Sequence, residues 1–176
     1  MSEQILRQLA ERIRAVPDFP VEGILFRDIT PMLQDVGAFR ASIQLFVEHF
    51  RDAGIDAFAG VESRGFLFAA PVALELGASF IPVRKKGKLP AATVECSYEL
   101  EYGKATLELH RDAVKTGQRV VIIDDLLATG GTAMAACNLI EQLGATVAEV
   151  AFLIELDFLK GRDKLDGHTV TSFLHY

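Results

Sequence analysis

Apolar positions along the chain switch between two periods. Ile5, Leu6, Leu9 and Ile13 recur at helical spacing with Arg7, Glu11, Arg12 and Arg14 between them, predicting an amphipathic helix over residues 2–15, ended by Pro17. A second stripe of Phe39, Ile43, Phe46, Val47 and Phe50 predicts another helix, stopped at Gly54. Residues 18–28 between them are rich in Pro and Gly and carry Phe19 and Phe26, so an irregular segment is expected there. From residue 57 the pattern alternates: short apolar strands at 57–61, 80–83, 120–123 and 147–154, helices at 65–76 and about 132–143, and a last short strand within 168–176. Strands alternating with helices predict an α/β fold, a parallel sheet covered on both faces. Residues 88–110 differ in texture, with β alternation at 104–109 and a polar, Gly-containing middle at 99–103, which predicts a hairpin-like excursion with a mobile loop.

Composition narrows the class. The 176 residues, half of them apolar, suit one compact domain over 1–176, and no repeat, linker or low-complexity tract divides them. A net charge of -6 and a pI near 5.2 disfavour a dedicated nucleic-acid binder, so any anionic ligand must meet a local basic cluster. No apolar run reaches the length of a membrane span or a signal h-region, which makes the cytoplasm the expected compartment. Cys96 and Cys137 belong to no metal-binding or disulfide spacing, Cys137 reading as core, and His49, His110, His168 and His175 form no cluster.

The chemistry concentrates in residues 120–132, Val-Val-Ile-Ile-Asp-Asp-Leu-Leu-Ala-Thr-Gly-Gly-Thr. An apolar strand runs into two carboxylates, then a loop of small and hydroxyl residues, then a helix. At the carboxyl edge of a parallel sheet such a loop turns successive N–H groups into one concavity, and the helix adds its positive end. Gly130 and Gly131 permit close approach, and Thr129 and Thr132 can donate hydroxyl hydrogen bonds. Neither the Walker A nor the GxGxxG pattern fits. Asp124 and Asp125 would repel a phosphate, yet they are good acceptors for ribose hydroxyls, so a sugar 5-phosphate satisfies both halves. Glu62-Ser63-Arg64-Gly65 follows the first core strand and opens a helix, a second candidate anion loop at the same edge that, standing alone, reads more readily as a helix cap. Arg84, Lys85, Lys86 and Lys88 form the one dense basic run, which by itself reads as a solvated face.

The 120–132 segment resembles the phosphoribosyl-pyrophosphate motif of the type I phosphoribosyltransferases, in the wording of their adenine-specific members. The resemblance continues in order through Phe19-Pro20, Gly23, Phe26-Arg27-Asp28-Ile29, Glu62-Ser63-Arg64-Gly65-Phe66, Arg84-Lys85, Gly87-Lys88-Leu89-Pro90 and Leu100-Glu101-Tyr102-Gly103. Glu22 departs from it, standing where the family often carries proline. The resemblance implies a single-domain type I phosphoribosyltransferase fold with a small N-terminal hood, about residues 1–35, and a mobile catalytic loop within about 88–110. It also implies a strained peptide between Glu62 and Ser63, a candidate cis bond.

The activity implied is transfer of ribose 5-phosphate from 5-phosphoribosyl-1-pyrophosphate to adenine, giving AMP and pyrophosphate, a purine-salvage reaction of a pentosyltransferase. Asp124, Asp125, Ala128, Thr129, Gly130, Gly131 and Thr132 would then hold the ribose 5-phosphate. Glu62, Ser63, Arg64, Gly65, Arg84, Lys88 and Tyr102 would serve the pyrophosphate, with Arg84 reaching a neighbouring subunit in a homodimer. Leu25, Phe26 and Arg27 would bind the base, Phe26 by stacking and the backbone by reading the purine edge, with Leu156 as the opposite wall. Glu101 would exchange a proton with the base, and Arg64 would assist the leaving group. Magnesium would be carried on substrate oxygens and water, without a direct protein ligand set. A transferase for xanthine, hypoxanthine or guanine, or a regulator that senses the activated sugar, are the alternatives.

Overall fold

The computed structural model describes residues 3–99 and 103–176, and the chain falls into two compact units, Met1–Glu48 and His49–Tyr176. In the first unit, helix α1 (Glu3–Ala10) stops short of the predicted residue 15, and strand β1 (Arg14–Pro17) follows, antiparallel to β2 (Leu25–Asp28). The segment expected to be irregular therefore ends in a strand. Pairing is the reason: Ala15 lies opposite Arg27 and Val16 opposite Phe26, and a ladder between separated residues overrides the helical period that the apolar spacing suggests. The connection is tight. Asp18 adopts a φ of 56°, Gly23 a φ of 87°, and the Gly23 N–H donates to Asp18 Oδ1 at 2.8 Å. The Phe19–Pro20 peptide is cis, and the Phe19 ring meets Phe26 edge-on with centroids 5.2 Å apart.

A short helix, α2 (Thr30–Gln34), was not legible in the pattern and buries Met32. Asp35 Oδ1 then accepts the N–H groups of Gly37 and Ala38 at 3.0 and 3.1 Å, opening α3 (Val36–Phe50). As the stripe predicts, Ile43, Phe46, Val47 and Phe50 on α3 are buried.

The second unit is built on a sheet of β3 (Ala57–Val61), β4 (Ser79–Lys85), β5 (Thr93–Glu99), β6 (Lys104–His110), β7 (Arg119–Leu127), β8 (Thr146–Glu155) and β9 (Val170–His175). Its order is β5-β6-β4-β3-β7-β8-β9. Strands β4, β3, β7, β8 and β9 run parallel, while β5 and β6 form the expected antiparallel hairpin, attached through β6 to β4. Helices α4 (Phe66–Leu76) and α5 (Gly131–Gln142) cover the sheet. Every residue of β3 is buried, as a central parallel strand requires. Its alternation assigns one helix to each face. A Cβ at Gly60 would lie 3.0 Å from Ala69 of α4, whereas Ala57, Ala59 and Val61 share an apolar cluster with Ala136, Leu139 and Ile140 of α5. Cys137 is part of that cluster, its thiol pushed up to about 12 by burial and, secondarily, by the Glu141 charge.

Strand β7 corrects a second expectation. The apolar run ends at Ile123, but the strand continues to Leu127, with Asp124 opposite Phe152 and Leu127 opposite Glu155 of β8. Asp124 and Asp125 are thus strand residues. Pairing with β3 stops at Ile123, so past that point β7 has a strand neighbour on the β8 side, and the loop after β3 can reach its other flank. Two 3-10 turns, Asp157–Leu159 and Gly161–Leu165, follow β8 and were not predicted.

In the first unit, hydrogen bonds from the Thr30 hydroxyl and N–H, and then from Arg14, hold the Asp28 carboxyl down at about 2. Because the folded value lies below the ordinary 3.8, this stabilisation is complete above that pH and is lost as pH falls toward about 2. Asp28→Asn should therefore lower the thermal midpoint near neutral pH, and the deficit should shrink as melts are run below about pH 4. A deficit independent of pH would contradict the assignment.

Candidate active site

Two loops at the carboxyl edge of the sheet converge on one cavity of about 430 Å³. The first follows β3. Its Glu62–Ser63 peptide is cis, and the chain enters α4 through Gly65, where a Cβ would come within 2.6 Å of the Ile123 carbonyl oxygen and 2.7 Å of the Val61 backbone. No side chain fits there, so the loop can lie directly on β7. The second loop follows β7. Gly130 takes a φ of 79° and opens α5, with the Met134 N–H donating to its carbonyl oxygen at 3.0 Å.

Glu62, Ser63, Arg64, Asp124, Asp125, Ala128, Thr129, Gly130 and Thr132 all line this cavity, so most of the expected pyrophosphate and sugar-phosphate residues are brought together. Arg64 Nε lies 2.8 Å from Asp125 Oδ2, a pair in which the Asp125 side chain is only 5% exposed. The Asp125 N–H donates to Asp124 Oδ1 at 2.9 Å. Burial, and then the neighbouring Asp125 charge, push the Asp124 carboxyl well above the ordinary carboxylate range. Asp125 is also raised, by burial first, with the Arg64 guanidinium opposing. Thr132 Oγ1 donates to the Tyr98 hydroxyl at 3.1 Å. Gly131 stands just behind, against Tyr98 and Glu99.

The basic run is held by carboxylates and does not line the cavity, apart from Lys85. Arg84 Nε and Nη2 donate to Glu62 at 3.3 Å each, and its Nη1 donates to the Lys88 carbonyl oxygen at 3.2 Å. Glu62 also accepts the Lys85 N–H at 2.9 Å. Burial works against ionisation of Glu62, but these donors and the Arg84 charge hold its carboxyl below the usual range. Glu108, buried on β6, accepts the N–H groups of Lys88 and Leu89 at 2.7 Å each. Burial pushes its carboxyl up, and the amides of Gly87, Leu89 and Lys88 outweigh that and lower it. The Lys88 backbone is thereby anchored to the sheet.

Leu25, Phe26 and Arg27 lie on β2 of the first unit. Leu156 directly follows β8 in the second and is buried, its N–H donating to the Leu127 carbonyl oxygen at 2.9 Å. Glu101 and Tyr102 fall outside the described residues. Sequence reasoning did not single out Tyr98 or Phe152, and it named Lys85 in the basic run without a site role; all three also line the cavity. For Tyr98 a signal existed in the alternation of β5, which puts Val94, Cys96 and Tyr98 on one face.

The family model of the phosphoribosyl transferase domain matches residues 32–174, and the chain belongs to that family. Relatives that match it along nearly their whole length are adenine phosphoribosyltransferases. The enzyme of Lachnoclostridium phytofermentans is 53% identical over 171 residues, 97% of this chain and 98% of that one. The crystal structure of the Thermoanaerobacter pseudethanolicus enzyme superposes with a TM-score of 0.94 at 53% identity, covering 97% of this chain and 99% of that one. The Saccharomyces cerevisiae enzyme, solved with adenine and an imino-altritol bisphosphate, gives a TM-score of 0.94 at 44% identity over 98% of this chain and 99% of that one.

Because Asp124 is raised in the folded chain, the unfolded chain sheds this proton first, and folded stability falls as pH rises above the ordinary carboxylate value. Asp124→Asn, which keeps an oxygen for the Asp125 amide, should raise the thermal midpoint of the ligand-free protein at neutral pH. The gain should widen with rising pH. A loss of stability in such melts would show that the acidic pair is not under electrostatic load.

Proposed function

We propose that this chain transfers ribose 5-phosphate from 5-phosphoribosyl-1-pyrophosphate to adenine, forming AMP and pyrophosphate, and so serves purine salvage. The observation that carries this reading is the convergence of two anion-binding loops on one cavity beside a desolvated pair of carboxylates. Amides and hydroxyls of Ala128, Thr129, Gly130, Gly131 and Thr132 take the 5-phosphate at the start of α5. Asp124 and Asp125 accept hydrogen bonds from the ribose hydroxyls, which relieves two charges that burial disfavours. Arg64 neutralises Asp125 in the ligand-free chain. Once the ribose satisfies Asp125, the guanidinium is released to the pyrophosphate.

Departure of pyrophosphate leaves positive charge on C1 and the ring oxygen of the ribose, with the character of glycosyl transfer. Arg64, Ser63 and Gly65 stabilise the departing charge, joined by Lys88 and by Arg84, which acts across the interface of a homodimer. Glu62 orients Arg84 through the paired contacts they already make. The oxygen-only donor set beside the cavity suits a hard cation, and its like-charge load would be eased by one. Magnesium, carried mainly on substrate oxygens and water near Asp124 and Asp125, would supply further neutralisation of the leaving group when bound.

Leu25, Phe26 and Arg27 bind the base, Phe26 by its ring face and the backbone by reading the 6-amino group and N1 of adenine. Glu101 takes or shares the ring proton lost as N9 bonds to C1. Tyr102 serves the pyrophosphate. The proposed compartment is the cytoplasm; among the described residues no helix is long and apolar enough to cross a membrane.

Incubation of the purified protein with magnesium, the activated sugar and each purine in turn tests the reading: AMP should form with adenine, and preferential conversion of hypoxanthine, guanine or xanthine would overturn the base assignment. Glu101→Ala should lower kcat by about a hundredfold or more while leaving affinity for the activated sugar within a few-fold. Asp125→Asn should weaken that affinity as well as turnover. Wild-type rates in Glu101→Ala would remove it from the mechanism.

A further inference from the structure

We propose that Gly161 and Arg162 are positioning residues of the 5-phosphate loop, whose amides are set by a strap of backbone lying against it. The inference deepens the reading of residues 128–132 as the phosphate cradle and rests on it. The 3-10 turn Gly161–Leu165 meets the loop backbone to backbone. A Cβ added at Gly161 would overlap the Ala128 carbonyl oxygen and lie 2.9 Å from Leu127 Cδ1, and one added at Gly130 would overlap the Gly161 carbonyl oxygen. Gly161 is buried and is not among the positive-φ glycines, so the approach of the loop demands glycine there, not the backbone angle. The two bare backbones interlock, and the peptide planes of residues 128–130 cannot turn without moving the strap.

Arg162 fastens the strap to the sheet. Its Nε and Nη2 fork onto Glu155, with distances of 2.7 to 2.9 Å, and its Nη1 donates to the Val170 carbonyl oxygen at 2.8 Å. The Glu155 side chain is only 5% exposed and ends β8, next to β9. A planar guanidinium matches a carboxylate in a way that an ammonium cannot, so the pair fixes orientation as well as distance. Upstream, the Leu156 N–H donates to the Leu127 carbonyl oxygen at 2.9 Å and the Asp157 N–H to that of Tyr176 at 3.0 Å. The strap is thus tied at Arg162 and just upstream before any ligand arrives, which lowers the ordering cost of binding. Neither Gly161 nor Arg162 lines the cavity; they act through the loop.

The test uses the full chain with Arg162→Gln, Arg162→Lys and Gly161→Ala, each titrated calorimetrically with ribose 5-phosphate and separately with magnesium pyrophosphate, alongside thermal melts. Ribose 5-phosphate affinity should fall about tenfold or more in Arg162→Gln and Gly161→Ala, in keeping with small misplacements of a preformed site. Arg162→Lys should recover little of the loss, pyrophosphate affinity should hold, and KM for the activated sugar should rise more than kcat falls. Equal weakening of both ligands would reveal general loosening and overturn the positioning role, as would unchanged ribose 5-phosphate affinity in a folded Arg162→Gln. Should Gly161→Ala not fold, the two Arg162 variants decide alone. If the unaltered chain binds pyrophosphate but no ribose 5-phosphate, the cradle reading itself fails and takes this inference with it.

Discussion

Two adjacent carboxylates withdrawn from water at the end of a central strand are the constraint to which the surrounding structure answers. Asp124 and Asp125 extend β7 past the point where β3 pairs with it, and desolvation raises both above the ordinary carboxylate range. Such a pair is costly unless something nearby compensates for it. In the ligand-free chain the compensation comes from Arg64, delivered by the loop after β3, and that loop can come so close only because Gly65 has no side chain. The acidic pair, the arginine and the glycine are one arrangement.

The same geometry explains a division of labour at the sheet's edge. One loop supplies positive charge on a side chain, the other supplies amides at a helix start, and the carboxylates stand between these functions as acceptors. Acidic residues supply anchors elsewhere in the site: Glu62 gathers Arg84 and the Lys85 amide, and Glu108 gathers the amides after β4. In an acidic chain, cationic groups are placed by carboxylates, so positive charge is gathered locally despite the net charge.

Much of the fold was legible because parallel strands buried on both faces leave short apolar runs, and α4, α5 and the β5–β6 hairpin lie where the pattern put them. Strand β1 and the end of α1 were not legible, since Arg14–Pro17 becomes a strand through pairing with Leu25–Asp28, a tertiary event with no local signature. The end of β7 was misplaced for a related reason: hydrophobicity stops at Ile123, while the ladder with β8 continues under two polar residues. At the site, the meeting of the 128–132 loop with Glu62-Ser63-Arg64 was legible from the first motif and the family resemblance together, since Glu62-Ser63-Arg64 alone reads more readily as a helix cap. For Tyr98 the alternation of β5 marks the face but does not tell a cavity-lining tyrosine from any half-buried aromatic. Gly161 and Arg162 escaped because a backbone approach between distant segments leaves only a lone glycine in the sequence.

The central claim is that the loop after β7 holds a sugar's terminal phosphate while the acidic pair takes its hydroxyls. A crystal structure of the protein with ribose 5-phosphate addresses it directly. The account predicts phosphate oxygens against the amides of residues 128–132 and the ribose 2- and 3-hydroxyls on Asp124 and Asp125, with Arg64 drawn off Asp125. A phosphate seated at the Ser63–Arg64 loop, or a ribose turned away from the carboxylates, would contradict it.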